Sequence, residues 1–199
     1  IKLRPGTNVA VLNMMLYYIV TSKLYKEDFI LSRTEGFENF VNEIKKLDIN
    51  QLAKVAGVDK QQVKEAAIAY ATAKNSMEFH GLGVTEHEQG SKTVMLIADL
   101  AMITGNIGRK GVGVNPLRGQ NNVQGAADMG CQPHQGAGYF EESKKKNQKF
   151  YTEKYGVTHP TKPGLKIPQM FEAAINKELK GVWIIGEDIV QTDPNSAHV

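Results

Sequence analysis

The chain has 199 residues, which fits one large domain or two small ones, and 41% of them are hydrophobic and 23% charged. That balance is ordinary for a folded globular protein and excludes extensive disorder. The net charge of +3 is mild, and the basic run at 144–146 is typical of a solvated loop or helix end. We therefore expect no nucleic-acid partner, because such a partner needs a concentrated basic face.

Cys131 is the single cysteine, so we predict no internal disulfide and no paired-cysteine site for zinc or an iron–sulfur cluster. No apolar run approaches the roughly 20 residues that span a bilayer, and no signal peptide opens the sequence. We expect a cytoplasmic protein without a membrane-spanning segment. The opening IKLRPGTNVA lacks a Met and is typical of a strand running into a turn, which indicates a fragment of a longer protein.

The first third of the chain is predicted to be helical. Thr7 or Asn8 can cap the first helix, whose apolar residues point to nearly every side and predict burial. Asp59 is the expected N-cap of another long helix, and Gly57 is the expected end of the short helix before it. The predicted helices cover residues 8–24, 26–33, 37–47, 50–57 and 59–74.

The remainder alternates short apolar strands with helices. SMEFHGLGV (76–84) contains a strand candidate that ends at the glycines, and an apolar helix follows from Gly90 and ends at Gly105. Residues 132–163 are polar and rich in Lys, and we predict a surface excursion or crossover there that contains one helix. A helix at 167–179 precedes VWII (182–185), a second predicted strand. The alternation predicts an α/β fold with a mostly parallel sheet.

Two of the candidate functional segments follow the predicted strands. Ligands gather at the carboxyl ends of strands in open α/β sheets. GLGVTE (81–86) has glycines that let a ligand approach the backbone, but a plain strand-to-helix turn would look the same. GEDIVQTD (186–193) carries Glu187 and Asp188, which suit a ribose hydroxyl or a guanine edge and equally suit a helix N-cap.

The third segment, NPLRGQNNVQGAADMG (115–130), has five side-chain amides, three glycines and one arginine. Buried amides without partners cost about 1–3 kcal/mol each, so these side chains are either exposed or matched to a polar ligand. The planar guanidinium of Arg118 suits a carboxylate or a phosphate. An exposed polar loop usually carries Lys, Glu and Ser, which this segment lacks. We therefore favour a segment that lines a ligand.

The histidines are scattered and show no recognisable site. His87 is followed by Glu88, but no second His lies four residues further on, which excludes a zinc-binding helix. His80 falls inside a predicted strand, and we expect it to pack against its neighbours. No Ser–His–Asp or paired-carboxylate site can be recognised from the spacings.

GVGVNPLRGQNNVQGAADMG resembles the molybdopterin oxidoreductase superfamily, and specifically the catalytic alpha subunit of formate dehydrogenases. LRPGTNVAVLNMMLYYIV, FILSRTEGFENF, GLGVTEH, MLIADLAMITGNIGRKGVGVNP and WIIGEDIVQTDPN are similar to the same family in the same order, so the resemblance covers nearly the whole chain. It implies oxidation of formate to carbon dioxide at a molybdenum or tungsten centre that is held by molybdopterin guanine dinucleotide.

The resemblance also implies roles for individual residues. Arg118 would lie beside the metal and orient the substrate anion. The residues implied to hold the cofactor are Leu82, Glu86 and Gln120 at the pterin and Gly186, Asp188 and Thr192 at a dinucleotide. Some relatives have Gln where this chain has Glu86, and a carboxylate near an anionic cofactor would need a partner.

The metal ligand of the family, a Cys or selenocysteine followed by His, is absent from the chain, as are the cysteines that bind a 4Fe–4S cluster; in the family both lie upstream. Cys131 does not occupy the metal-ligand position. The resemblance implies that residues 1–118 and 119–199 come from two Rossmann-like α/β domains, each incomplete. We expect these residues alone to bind no metal and to oxidise no formate, and the whole protein to work with electron-transfer subunits.

Two alternatives stay open. Another family member, such as a nitrate reductase, shares the cofactor loops but not the substrate, and the Arg in NPLRGQNNVQG favours formate. A stand-alone cofactor- or nucleotide-binding module is the non-enzyme alternative. Cluster cysteines and a Cys–His or selenocysteine–His pair in the upstream coding sequence would favour the enzyme.

Overall fold

The computed structural model describes all residues, 1–199, and divides the chain into two compact units. The first unit is Ile1–Gly119 and the second is Gln120–Val199. We describe each unit by itself. Their assignment to the two family domains stays a prediction.

The first unit is mainly helical and carries one parallel strand pair. Its elements are α1 (Asn8–Thr21), α2 (Glu27–Arg33), α3 (Phe37–Lys45), α4 (Ile49–Ala56), α5 (Lys60–Thr72), β1 (Met77–His80), α6 (Leu82–Thr85), α7 (Gly90–Ile103) and β2 (Gly113–Pro116). Every helix predicted from the sequence in this part of the chain is confirmed, with ends that differ by a few residues.

Helix α1 forms the centre of the first unit, where it contacts α3, α4, α5 and α7. Leu16 and Ile19 on α1 are fully buried against α5 and α7 residues such as Leu100. On another side of the same helix, Met14 is fully buried with Val63 of α5. Burial of each such side chain stabilises the fold by about 1.5–3 kcal/mol. The prediction that α1 is buried on several sides is therefore confirmed.

Local capping sets the ends of the short helices. The Asp48 carboxylate accepts hydrogen bonds from the backbone N–H of Asn50 at 2.9 Å and of Gln51 at 3.1 Å, which starts α4. Gly57 ends α4 with φ +67°, in the left-handed region that glycine tolerates best. The Asp59 carboxylate accepts from the backbone N–H of Gln62 at 3.0 Å and starts α5. The predictions for Gly57 and Asp59 are confirmed, whereas the Thr7 hydroxyl makes no capping hydrogen bond to α1 and donates to the Arg4 carbonyl at 2.6 Å.

A β–α–β unit brings the candidate site together in the first unit. Strand β1 pairs with β2 in parallel, from Met77 opposite Gly113 to His80 opposite Pro116, and α7 lies between them in sequence. The predicted strand within 76–84 is therefore confirmed, and the short helix α6 follows Gly81. The chain thus has the predicted α/β architecture, with parallel pairing in this sheet.

The second unit consists of short elements. They are α8 (Val123–Asp128), β3 (Gln135–Gly136), β4 (Phe140–Glu141), α9 (Lys145–Tyr155), α10 (Ile167–Ile175) and α11 (Ile189–Thr192), and β3 and β4 pair antiparallel. The segment 132–163 has a centre of its own, because Tyr151 is buried and donates a hydrogen bond to the Ala137 carbonyl at 2.5 Å. The helix that we predicted within this segment is confirmed as α9.

The predicted strand VWII does not form. Residues 182–185 have no regular secondary structure, and their four apolar side chains are exposed, with Trp183 at 88%. A strand is held by hydrogen bonds to a neighbouring strand, and no strand of the second unit pairs with this segment. A continuous apolar run is typical of a strand that is buried on both faces. Without neighbouring strands in the second unit, this segment cannot form such a strand.

None of the helices is both long and apolar enough to cross a membrane.

Candidate functional site

The carboxyl ends of β1 and β2 form one edge in the first unit. Beyond the strand pairs, the backbone N–H of Leu117 donates to the His80 carbonyl at 2.6 Å. This bond continues the parallel pairing past Pro116 and aligns the two loops that follow the strands. The loop with Leu82 and the loop with Arg118 therefore leave the sheet side by side, at the edge where α/β sheets bind ligands.

Two glycines lie where these loops meet, and only at Gly119 would a side chain crowd the neighbouring loop. A Cβ atom on Gly81 would lie 3.5 Å from the Leu117 carbonyl oxygen, and one on Gly119 would lie 3.1 Å from Leu82 Cδ1. The Leu82 side chain thus rests on the backbone of Gly119 while 38% of it stays exposed. Arg118 lies between Leu117 and Gly119, the two residues that contact the first loop, and its side chain is exposed. The structure therefore brings Leu82 and Arg118 to the same edge.

Glu86 also belongs to this edge through α6. The predicted loop 81–86 folds as a single helical turn, and the Glu86 N–H donates to the Leu82 carbonyl at 2.8 Å. The Glu86 side chain is exposed. A close contact fixes α6 against α7, because a Cβ on Gly90 would come within 2.2 Å of the Thr85 carbonyl oxygen. Gly90 carries no signal in the sequence alone, because its role depends on the close approach of a neighbouring segment.

A polar network centred on the buried Asn106 supports the start of β1. Asn106 is buried, and its Oδ1 accepts from the Ser76 backbone N–H at 3.2 Å and from Arg109 Nη2 at 2.9 Å. Arg109 also donates through Nε to the Gly105 carbonyl at 3.3 Å and through Nη1 to the Asn75 side chain. The network ties the start of β1 to the segment between α7 and β2. It therefore holds both strands in register beneath the site.

Glu78 on β1 forms a second polar contact inside the first unit. The Tyr70 hydroxyl donates to its Oε1, and its Oε2 is enclosed without a hydrogen-bond partner. Burial raises the pKa of the Tyr70 hydroxyl, and the hydrogen bond to Glu78 raises it further. Burial also raises the pKa of the Glu78 carboxyl, against the opposing effect of the Tyr70 hydrogen bond. The pair belongs to the interior and is not part of the exposed edge.

The amides of segment 115–130 serve more than one purpose. The Asn115 side chain is half-buried and donates to the Glu78 carbonyl at 3.1 Å and to the Gly113 carbonyl at 3.2 Å. It therefore holds the strand pair together and does not line the exposed edge. Asn122 has φ +54° and precedes α8 in the second unit. Gln120, the first residue of that unit, is exposed.

The remaining predicted cofactor residues lie in the second unit. Gly186 has φ +68°, so the chain turns sharply after the exposed segment 182–185. Asp188 precedes α11, but its carboxylate makes no capping hydrogen bond. The Thr192 hydroxyl donates to Glu187 Oε1 at 2.5 Å. The structure brings Gly186, Asp188 and Thr192 into one short turn, and their approach to the strand edge of the first unit stays a prediction.

The sequence of the chain matches the family described as molybdopterin oxidoreductase over residues 1–199. This chain belongs to the molybdopterin oxidoreductase family. The expected family is therefore confirmed.

The similar relatives include formate dehydrogenases. The F420-dependent formate dehydrogenase subunit alpha of Methanocaldococcus jannaschii is 41% identical over 199 residues, which is all of this chain and 29% of the relative. Formate dehydrogenase H of Escherichia coli is 39% identical over 97% of this chain and 27% of the relative. The assimilatory nitrate reductase catalytic subunit of Bacillus subtilis is also similar, at 28% identity over 98% of this chain and 28% of the relative. The chain thus spans less than a third of the length of these relatives.

Acetylene hydratase from Pelobacter acetylenicus has a similar fold. Its structure superposes with a TM-score of 0.56 over 86% of this chain and 25% of its own, at 19% sequence identity. At that identity the likeness concerns the fold alone.

The edge of the first unit fits a large polar group such as the pterin of this family. Gly81 and Gly119 keep the backbone open where side chains would otherwise project. Leu82 offers a partly exposed apolar surface to a flat ring, and the exposed Arg118 offers up to five N–H donors. His80, at the end of β1, has a ring nitrogen without a partner. These features suit a ligand with both a flat ring and many acceptor atoms.

Proposed function

We propose that this chain is part of the catalytic subunit of a formate dehydrogenase, which oxidises formate to carbon dioxide at a molybdenum or tungsten centre held by molybdopterin guanine dinucleotide. The observation that carries the proposal is the contact between the loop of Leu82 and the loop of Arg118 at one strand edge. The similarity to formate dehydrogenase alpha subunits, at 36–41% identity, supports the substrate.

Arg118 is the residue that would bind and orient formate. Its guanidinium can donate two parallel hydrogen bonds to the two carboxylate oxygens, which fixes the C–H bond in one direction. Loss of that hydrogen leaves carbon dioxide, one proton and two electrons. The metal centre supplies the two-electron acceptor when it is bound.

Other residues of the first unit would hold the pterin. Leu82 would pack against one face of the ring system, and the backbone of Gly81 and Gly119 would allow the ring to come close. Glu86 would accept hydrogen bonds from the amino and ring N–H groups of a pterin, which supplies the partner that its carboxylate needs. These roles follow from the resemblance and from the chemistry of each side chain.

The resemblance also implies cofactor contacts for residues of the second unit, and their side chains suit such contacts. Gln120 has an amide that can both donate to and accept from the pterin. The Asp188 carboxylate, which makes no capping bond, would accept from ribose hydroxyls or from a guanine N–H edge. The turn at Gly186 and the hydroxyl of Thr192 would contact the same dinucleotide.

Further parts of the proposal concern the whole protein, because the relatives are more than three times as long as this chain. A 4Fe–4S cluster would pass the electrons onward to partner subunits, and the protein would work in the cytoplasm. We expect the 199 residues alone to hold neither metal nor pterin. Stoichiometric molybdenum or tungsten in the purified 199-residue chain would contradict that expectation.

A nitrate reductase is the second candidate, and the Bacillus subtilis relative at 28% identity supports it. The deciding experiment uses the full-length protein, purified without oxygen. It compares formate-dependent reduction of a viologen dye with nitrate-dependent oxidation of the reduced dye. We expect turnover with formate. Turnover with nitrate alone would favour the second candidate, and a protein that binds pterin or nucleotide but turns over neither substrate would favour a binding module.

A further inference from the structure

His80 is a buried polar residue at the candidate site that no role yet explains. It is the last residue of β1, only 7% exposed, and its carbonyl accepts the bond from Leu117 that joins the two loops. Its Nδ1 is enclosed by protein and has no hydrogen-bond partner. Nε2 is not enclosed in this way, so it is the ring nitrogen that reaches the surface. The expectation that His80 only packs against its neighbours leaves this arrangement unexplained.

An enclosed nitrogen without a partner is costly for the fold. An unsatisfied buried polar group destabilises a protein by about 1–3 kcal/mol, whereas an apolar side chain of similar shape avoids that cost. Glu78, two residues earlier on the same face of β1, accepts the hydroxyl of Tyr70 and offers no bond to the His80 ring. A histidine at this position therefore costs stability, as residues at functional sites often do.

The two ring nitrogens are not equivalent here, because only Nδ1 is enclosed without a partner. Either nitrogen of an imidazole can carry an N–H. Buried N–H groups without an acceptor are rarer in proteins than acceptors without a donor. Nε2 is therefore the nitrogen whose N–H is available to a ligand. His80 then presents a single, rigidly held N–H donor at the end of β1.

We propose that His80 is a further cofactor-binding residue, whose Nε2–H donates a hydrogen bond to an acceptor oxygen or nitrogen of the pterin cofactor. The proposal rests on the proposed function, because it takes the pterin to lie at this edge. His80 is the last residue of β1, one residue before Gly81 and two before Leu82. It adds to the proposed site a donor whose position is fixed by burial, which lowers the entropy that is lost on binding.

Three substitutions in the full-length protein separate a binding role from a packing role. His80→Phe keeps a flat ring and removes both nitrogens. His80→Gln places an amide N–H near the position of Nε2, and His80→Asn places one near the position of Nδ1. The first measurement is the rate at which pterin is released at a fixed elevated temperature, followed by the fluorescence of the oxidised pterin. The second is the melting temperature of each protein, produced without cofactor in a host that makes no molybdopterin.

We expect the two measurements to move in opposite directions for His80→Phe. Pterin release becomes about fivefold faster, the effect of one lost hydrogen bond, while the melting temperature of the cofactor-free protein stays equal or rises because the enclosed nitrogen is gone. His80→Gln keeps the slow release, and His80→Asn does not. A residue that only packs would leave pterin release unchanged in all variants that fold, and that result would overturn the proposal.

The outcome also separates this inference from the proposed function. A full-length wild-type protein that contains no pterin would overturn both. A protein that contains pterin and oxidises formate, with the same release rate for wild type and His80→Phe, would overturn the role of His80 alone. If His80→Phe does not fold, the comparison of His80→Gln with His80→Asn decides, and equal release rates for these two variants would refute the proposal.

Discussion

Gly90 determines how closely the short helix α6, with Leu82 at its start, can approach α7. In the structure a Cβ at this position would lie 2.2 Å from the Thr85 carbonyl oxygen and 2.9 Å from the Thr85 carbonyl carbon. An ordinary contact between carbon and oxygen is about 3.3–3.6 Å. Gly90→Ala must therefore move the backbone of Thr85 by at least about 1 Å, since no side chain can move instead.

The cost follows from that displacement. Overpacking by a single carbon costs about 1–3 kcal/mol, and the higher helix propensity of Ala at the start of α7 returns up to about 1 kcal/mol. We expect a net loss of about 1–2 kcal/mol in the free energy of unfolding. With a urea dependence of about 2 kcal/mol per molar, the unfolding midpoint of the 199-residue chain falls by about 0.5–1 M when it is followed by circular dichroism.

The same displacement carries Leu82 and Glu86 away from the strand edge, so we expect the full-length Gly90→Ala protein to contain less pterin than wild type. Gly83→Ala is the matched control, because a Cβ at Gly83 meets nothing within 4 Å. It should leave the unfolding midpoint unchanged or slightly raised. If Gly90→Ala unfolds at the same urea concentration as wild type, the packing of α6 on α7 described above is wrong.

Three further predictions concern catalysis, pH and exposure. Arg118→Ala in the full-length protein should lower kcat/KM for formate by about 100-fold or more with unchanged pterin content; unchanged kinetics would remove Arg118 from the active site. Because burial raises the folded-state pKa of Glu78 above its ordinary 4.5, its stabilising contribution is complete below that value and is lost as pH rises through the raised pKa. The free energy of unfolding of wild type should therefore fall more steeply than that of Glu78→Gln as the pH rises above 4.5. Equal pH dependence of the two proteins would contradict this. Trp183, the single tryptophan, should emit in the 199-residue chain near the wavelength of free tryptophan and be readily quenched by iodide, since 88% of it is exposed; a blue-shifted, protected emission would show that the segment is covered.

Local sequence signals predicted much of the first unit. Asp59 and Gly57 act through bonds and angles within their own helix ends, so their identity alone indicates where α5 starts and α4 ends. The apolar pattern of α1 likewise predicts burial on several sides. Such features depend on neighbours only a few residues away, which a single sequence contains.

Features that depend on distant neighbours were not predicted. The role of Gly90 depends on the backbone of Thr85, and the role of Asn106 depends on a hydrogen bond to Ser76, 30 residues away. Asn115 looked like a ligand-binding amide, but it bonds to the carbonyl of Glu78 across the sheet. In these cases the residue type suggested hydrogen bonding or flexibility, and only the fold decided the partner.

The candidate site, too, could be predicted from the sequence only where it depends on local residues. The motif around Arg118 indicated a polar ligand, and the resemblance supplied its identity. The contact of that motif with Leu82 depends on the parallel pairing of β1 with β2, which the spacing of the two motifs does not specify. His80 was expected to pack inside its strand, and only its enclosure without a partner suggested another role.

The central claim is that the Arg118 guanidinium faces a pterin-bound metal. The most direct test is the electron paramagnetic resonance spectrum of the partly reduced metal in the full-length protein, compared between wild type and Arg118→Lys. Arg33→Lys, an equally conservative change at an exposed position on α2, is the control. We expect the metal signal to change for Arg118→Lys and to stay the same for Arg33→Lys. Identical spectra for all three proteins, or a full-length protein without a metal signal, would contradict the claim.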